Sequence, residues 1–199
     1  MKLRNLDKKD RGKVIQFAIH GMHLDWYLHN KTLLNLYSRY FLYLELNRAN
    51  QIIAAYEGGD LLGILLAEMY DEQPICTSRL QKVYVKFVDW IQHAFFKGAD
   101  SYEIANKRMY DELLRRYKPD GELIFLAADP DAKQEGIGTA LLNALAEREC
   151  GKRIFLYTDS GCTWQFYEHR GFERFAQRNV ELELSDTVPL ECYLYQRVL

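Results

Sequence analysis

The stretch between Pro119 and Cys150 limits what this chain can fold into more than any other. Glu122 to Ala128 is a short apolar run, set off by Pro119, Asp120 and Gly121 before it and by Asp129 and Pro130 after it. Apolar runs of this length between turn residues read as strands. A polar loop follows, and then Ile137, Leu141, Leu142, Leu145 and Ala146 keep helical spacing up to Cys150. Arg153 to Tyr157 reads as the next strand. The centre of the chain is therefore a strand, loop, helix, strand unit, which requires a mixed architecture with helices packed on a sheet.

The flanking segments fit around that unit. A short strand is expected near Leu3 and a helix from Asp7 to about Ala18. A second helix is expected from Asn30 to about Leu46, where Leu33, Leu36, Tyr37, Tyr40, Phe41 and Leu44 recur at helical spacing and Asn30 is the cap. Gln51 to Tyr56 and Leu61 to Met69 are apolar runs separated by Glu57, Gly58, Gly59 and Asp60, which predicts a hairpin. From Asp71 to Pro119 the pattern is helical: Leu80, Tyr84, Phe87, Val88, Ile91 and Phe95 form one stripe, Ala105, Met109 and Leu113 another, with Gly98 between the two helices. Thr163 to His169 reads as a short helix, and Phe172 to Leu182 and Leu190 to Val198 as final strands.

Composition removes several classes of function. Of the 199 residues, 48% are hydrophobic and 27% charged, the balance of a chain that folds throughout as one domain. A net charge of -2 is wrong for a protein devoted to neutralising a nucleic-acid backbone. Cys76, Cys150, Cys162 and Cys192 show neither a CxxC pair nor a zinc spacing, so they read as reduced thiols of a cytoplasmic protein. The start, MKLRNLDKKDRGK, is charged where a signal peptide is apolar, and no run approaches the length of a membrane span.

The loop from Asp131 to Ala140 lies at a helix start, where the first amides lack intrahelical partners and the peptide dipoles place partial positive charge. Gly136 and Gly138 lack a Cβ, so a pyrophosphate can approach the backbone there. There is no GxxxxGK[ST], and Leu141 stands where a dinucleotide-binding fingerprint needs its third glycine. Lys133-Gln134-Glu135-Gly136-Ile137-Gly138 instead resembles the acetyl-CoA-binding signature of the GNAT superfamily of acetyl-CoA-dependent N-acetyltransferases, with Lys133 in place of the usual Gln or Arg. Upstream, Glu122 to Pro130 looks like that family's fourth strand. Downstream, Phe166-Tyr167-Glu168-His169-Arg170-Gly171-Phe172 looks like the aromatic-Tyr-x-x-x-Gly-Phe end of its second motif.

The resemblance implies an α/β fold of the GNAT type: a mixed, mostly antiparallel, twisted sheet of about six to seven strands with helices on both faces, and a helical insertion at 71–118. It implies acetyl-CoA as acetyl donor and a primary amine of a small molecule or peptide as acceptor, joined by direct attack in a ternary complex. Glu122 is then the base that takes the proton of the attacking ammonium, and Tyr167 the phenol that protonates the departing thiolate. A backbone amide near Leu126, Ala127 or Ala128, where the family's strand splays at a bulge, would polarise the carbonyl. Lys133, Gln134, Glu135, Gly136, Ile137, Gly138 and Thr139 would hold the pyrophosphate, and Ser160, Cys162 and Phe166 would line the pantetheine arm.

Two other readings compete: a catalytically silent CoA-binding regulatory module, prompted by Glu135 beside the phosphates, and an interaction protein that keeps the fold. His20, His23, His29 and Asp25 tempt a metal reading, but only two of them share a helix face, so no metal is expected. Trp26, Tyr27, Tyr37, Tyr40 and Tyr43 read first as helix core. No membrane or nucleic-acid partner is expected, and a monomer or homodimer is.

Overall fold

A computed structural model describes residues 1–27, 30–75, 78–95, 100–183 and 187–199. The elements run β1 (Lys2–Arg4), α1 (Arg11–Gly21), α2 (Leu24–Tyr27), α3 (Lys31–Arg48), β2 (Gln51–Glu57), β3 (Asp60–Met69), α4 (Arg79–Phe95), α5 (Asp100–Leu114), β4 (Gly121–Ala128), α6 (Ile137–Arg148), β5 (Arg153–Asp159), α7 (Gln165–Glu168), β6 (Glu173–Glu183) and β7 (Thr187–Val198). Among the described residues the strands form a seven-stranded sheet in the order β1-β2-β3-β4-β5-β7-β6. Every neighbouring pair is antiparallel except β4 and β5.

Alternation along the strands sorts the core into two faces. Ile53, Leu65, Ala67, Leu123, Ile154 and Leu156 point to the face covered by α6, through Leu141, Leu142 and Leu145. Ile52, Ala54 and Leu66 point to the other, under Val14 and Phe17 of α1 and Leu42 and Leu46 of α3. Farther along that second face, Met109 and Leu113 of α5 pack on Phe155, Cys192 and Leu194. Helices α3 and α5 thus lie over the same face of the sheet, α3 at β2 and β3 and α5 at β7 and β6.

Local signals explain why these segments form. Asn30 caps α3 through its side-chain oxygen, which accepts from the amides of Thr32 and Leu33 at 2.9 and 3.2 Å. Gly58 and Gly59 hold positive φ in the β2–β3 turn, a conformation costly to any residue with a Cβ. Gly63 has a different task. A Cβ there would lie 2.7 Å from Ile137 Cγ2 and 3.0 Å from the Ala127 carbonyl oxygen, so its absence lets the first turn of α6 settle onto β3.

One expected stripe is only partly right. On α4 the buried side is Gln81, Val85 and Val88, with Tyr84 packed beside them; Val88 and Tyr84 belong to the expected stripe, whereas Leu80 is 83% exposed and Phe87 56%. Val85 and Val88 meet Tyr40 of α3, so helix packing rather than the apolar arc of the isolated helix chose the buried side. The side chains of Ile91 and Phe95, and Gly98 altogether, lie outside the described residues. The tyrosines of α3 serve the same seam: Tyr40 is buried, and Tyr43 meets Tyr84 with ring centroids 5.5 Å apart. No helix among the described residues is long and apolar enough to cross a membrane.

Candidate active site

The parallel pair β4 and β5 is joined only at its base, by the partners Gly121–Ile154 and Glu122–Phe155. Beyond them the two strands diverge into a fork, although β4 stays paired with β3 as far as Ala128. The divergence coincides with a β-bulge at Ile124, since β3 partners shift from Leu66–Phe125 to Ala67–Leu123. The bulge also turns the strand over: Leu123 and Leu126 face α6, while Ile124, Phe125 and Ala127 all face α1 and α3. The fork therefore opens earlier than expected. Leu126, Ala127 and Ala128 lie well along its open arm rather than at the bulge.

On the α6 face, the loop after β4 presents a row of free amides. Among the described residues, no backbone N–H from Lys133 to Thr139 finds an acceptor, and the first helical bond is donated by Ala140 to the Gly136 carbonyl at 2.9 Å. Unsatisfied amides at a helix start are an anion cradle. Gly136 is the N-cap of α6, at φ 77°, with open space where a Cβ would be. Gly138 differs, because its missing Cβ makes room for the Phe166 ring, 3.2 Å away. The side chain of Ile137 is buried in the core, which leaves only its amide for a ligand. Gln134 points its amide at the Glu57 carboxylate of the β2–β3 turn, while Lys133 and Glu135 are exposed.

Arg170 stands beside this row, a residue that motif reading passed over as a variable position. Its Nε and Nη2 donate to Thr139 Oγ1 at 3.0 and 2.7 Å, and its guanidinium lies 5.2 Å from the Phe166 ring centroid. It adds a cation at the mouth of the cradle.

The second motif builds the other arm. Tyr167 packs against Phe166, Phe172 and Tyr195, with centroids 5.4, 5.7 and 6.3 Å away, and its hydroxyl makes no hydrogen bond among the described residues. Burial pushes the phenol above its ordinary pKa, with Cys162 adding to the rise, so it keeps its proton at neutral pH. The Cys162 thiol is itself pushed up to about 12, chiefly by burial and then by Asp159, and is therefore no nucleophile. Its Sγ lies 3.7 Å from the Gly21 carbonyl oxygen, and a Cβ on Gly21 would lie 3.9 Å from that of Ala127. The end of α1 thus touches both arms of the fork. Ser160 is engaged elsewhere, since its Oγ accepts from the Glu191 amide at 3.1 Å.

Glu122 sits at the base of the fork on the opposite face from Tyr167. It pairs with Arg48, whose Nε also lies 3.1 Å from Glu68 and 3.4 Å from Glu45. Burial raises the Glu122 pKa; Arg48 opposes the rise and Glu68 adds to it. Glu45 is pushed up to about 7, again chiefly by burial. Motif reading found Glu122 alone. Glu45, Arg48 and Glu68 belong to α3 and β3, and nothing in their own segments signals that they meet.

Two surface depressions, of about 250 and 360 Å³, lie elsewhere. One is lined by Glu112, Arg115, Arg116 and Phe175, the other by Tyr117, Arg153 and the end of β7. Neither touches the amide row or Tyr167. Among the described residues no group of three or more His, Cys, Asp or Glu is placed to hold a metal ion; His29 lies outside them.

Comparison with known proteins agrees with this fold. Residues 103–174 match the model of the acetyltransferase (GNAT) domain. No curated protein matches the sequence. Several solved structures share the fold over nearly the whole chain. A polyamine N-acetyltransferase from Drosophila melanogaster superposes with a TM-score of 0.62 at 12% identity, covering 100% of this chain and 99% of that one. A ribosomal-protein-alanine N-acetyltransferase from Brucella melitensis gives 0.56 at 18% identity, with 100% of both chains covered. An N-acetyltransferase from Staphylococcus aureus Mu50 gives 0.56 at 13% identity, covering 99% of this chain and 100% of that one.

Proposed function

From the match of residues 103–174 to the acetyltransferase (GNAT) domain and the fold shared with N-acetyltransferases, we propose that this chain is a GNAT acetyltransferase that transfers the acetyl group of acetyl-CoA to a primary amine by direct attack in a ternary complex. The observation that carries this reading is the unbroken row of unpaired amides from Lys133 to Thr139 at the head of α6. A diphosphate is the natural acceptor for such a row, and Arg170 and Lys133 supply compensating charge. From there a pantetheine arm reaches the fork, where the unpaired edge of β4 beyond Glu122 offers amides to it.

The chemistry divides between the two faces. An alkyl ammonium must lose a proton before it can attack, and Glu122, at the base of the fork, takes it directly or through a water. The amine nitrogen then bonds to the thioester carbonyl carbon, whose oxygen draws on an amide of the open β4 arm at Leu126, Ala127 or Ala128. As the C–S bond breaks, the Tyr167 phenol donates its proton to the departing sulfur; the nitrogen, which still carries one proton too many after its attack, releases it to solvent, the phenolate takes one back from solvent, and Glu122 gives up its own proton to solvent. The products are an N-acetyl amine and the free thiol. A covalent acyl-cysteine route is disfavoured by the raised pKa of Cys162. The amine class of acceptor is supported by the polyamine and ribosomal-protein-alanine N-acetyltransferases that share this fold.

Two measurements test the reading. Acetyl-CoA at millimolar concentration should raise the melting temperature, since a ligand that binds only the folded state stabilises it. Thiol release should then be detected with at least one member of a panel of amines. An unchanged melting temperature and no thiol release would end the proposal.

A further inference from the structure

Helix α4 leaves an apolar arc outside the protein and takes a polar group inside. Leu80, Val83 and Phe87 are 83%, 66% and 56% exposed. Gln81 is instead buried, along with Val85 and Val88, and its Oε1 has no hydrogen-bond partner among the described residues. An unsatisfied amide oxygen in the interior costs stability, and so does a leucine left in water. Departures of this kind from local preference concentrate at functional surfaces.

The outer arc has a definite chemistry. At about 100° per residue, Val83, Phe87 and Leu80 fall within an arc of about 60°, and Lys82, Lys86 and Arg79 within the arc beside it. All three cations are exposed, and α4 carries no acidic residue from Arg79 to Val88. Ile75, just before the helix, is exposed as well. The complementary surface is therefore both apolar and negatively charged. A second copy of this chain does not supply it, since a two-fold contact would set Arg79, Lys82 and Lys86 against their own copies. An anionic lipid bilayer does: apolar side chains enter the boundary between headgroups and acyl chains, while the Lys and Arg stems reach the phosphates. The apolar side chains also stand out from the helix, and neither of the two surface depressions borders α4. Protruding side chains of this kind suit a soft, continuous surface.

We propose that α4 lies on an anionic membrane surface, with Leu80, Val83 and Phe87 in the interface and Arg79, Lys82 and Lys86 at the lipid phosphates. The contact is peripheral. No described helix is long and apolar enough to cross a membrane, and a helix that lies in the interface needs no such length, which is why the sequence pointed to no membrane partner. The docking is independent of acetyl transfer and stands or falls apart from it.

The test is sedimentation of the full chain with vesicles of phosphatidylcholine alone and of phosphatidylcholine with phosphatidylserine, at low and at moderate ionic strength. The wild type should sediment with the anionic vesicles and stay in solution with the neutral ones, and the bound fraction should fall as salt rises. Leu80→Ser combined with Val83→Ser should lower the bound fraction several-fold at both salt levels, and Lys82→Glu combined with Lys86→Glu should abolish it. All four positions are exposed, so the melting temperature of each variant should stay near that of the wild type, which separates lost docking from lost folding. No binding to anionic vesicles, equal binding to neutral ones, or binding that both double variants retain would overturn the proposal. Without vesicle binding, self-association that the serine variant removes would give the arc to a second copy, and capture of a synthetic acidic amphipathic peptide, read by fluorescence anisotropy, would give it to an acidic protein. Either result would overturn the membrane assignment.

Discussion

The two faces of the sheet meet at the fork of β4 and β5 and are built from different materials. On the α6 face the candidate donor site is almost entirely backbone: a row of amides from Lys133 to Thr139, opened by Gly136 at positive φ and steadied by Phe166 packed on Gly138. On the face under α3 the charged cluster at the base of the fork is almost entirely side chain: Glu45, Glu68 and Glu122 around Arg48. Backbone donors are fixed once the loop and helix form. Side-chain charges depend on which helices the fold brings together. A cofactor shared across a superfamily suits the first construction and a particular acceptor suits the second, which makes the contrast testable.

The largest effect should come where the faces meet. Replacing Tyr167 by Phe keeps the ring in its contacts with Phe166, Phe172 and Tyr195 but removes the proton donor. Thiol release should fall by about 10² to 10⁴ while acetyl-CoA binding, read by calorimetry, holds. A wild-type rate would deny Tyr167 its role.

Next in size is Gly63→Val, which strikes the donor face alone. Its Cβ would have to displace Ile137 Cγ2, 2.7 Å away, and the loop it anchors. Denaturant unfolding should show a loss of about 1–3 kcal/mol, the usual cost of overpacking, together with weaker acetyl-CoA binding. Unimpaired cofactor affinity would mean that the seat of α6 on β3 does not hold the amides in place.

Glu45→Gln probes the acceptor face. The Glu45 carboxyl rests near pKa 7 in the folded protein, raised from about 4.5 by burial first and by Glu122 and Glu68, with Arg48 opposing. Below pH 4.5 both states hold the proton and the charge penalty is absent. Between 4.5 and 7 the unfolded chain releases its proton first, so stability declines as pH rises, and above 7 the full penalty remains. The variant should therefore unfold at higher denaturant than wild type at pH 8, by about 2 kcal/mol, and the gain should shrink as pH falls through 5 and vanish below about pH 4.5. A gain that does not depend on pH would contradict a buried, protonatable Glu45.

The smallest effect is expected from Gly136→Ala, where the space is open and only the positive φ resists. A penalty of about 1 kcal/mol for a left-handed alanine should appear mainly as a several-fold rise in KM for acetyl-CoA. The rate at saturating acetyl-CoA should stay as it was. A fall in that rate would mean the faces are not separate.

How much of this was legible in advance follows from the kind of interaction involved. Asn30 as the cap of α3, the β2–β3 turn and the strand, loop, helix passage from Gly121 to Arg148 rest on residues close together in the chain, and the structure has them where the pattern put them. The stripe on α4 held at Tyr84 and Val88 and missed at Leu80 and Phe87, because its buried side was set by Tyr40 of α3, far off in the chain. The places of Leu126, Ala127 and Ala128 relative to the bulge were missed because a bulge is a mismatch between two strands and leaves no mark on one of them.

The amino-acid order by itself determined the loop: two glycines, a helix start and the tyrosine motif downstream are enough to specify local backbone, because capping and positive φ are settled over a few residues. The charged cluster was decided only by tertiary structure. Arg48, Glu68 and Glu122 come from three separate elements, and only the pairing of β3 with β4 under α3 makes them neighbours. Charge acts through space, so its partners become visible only when the chain has closed on itself.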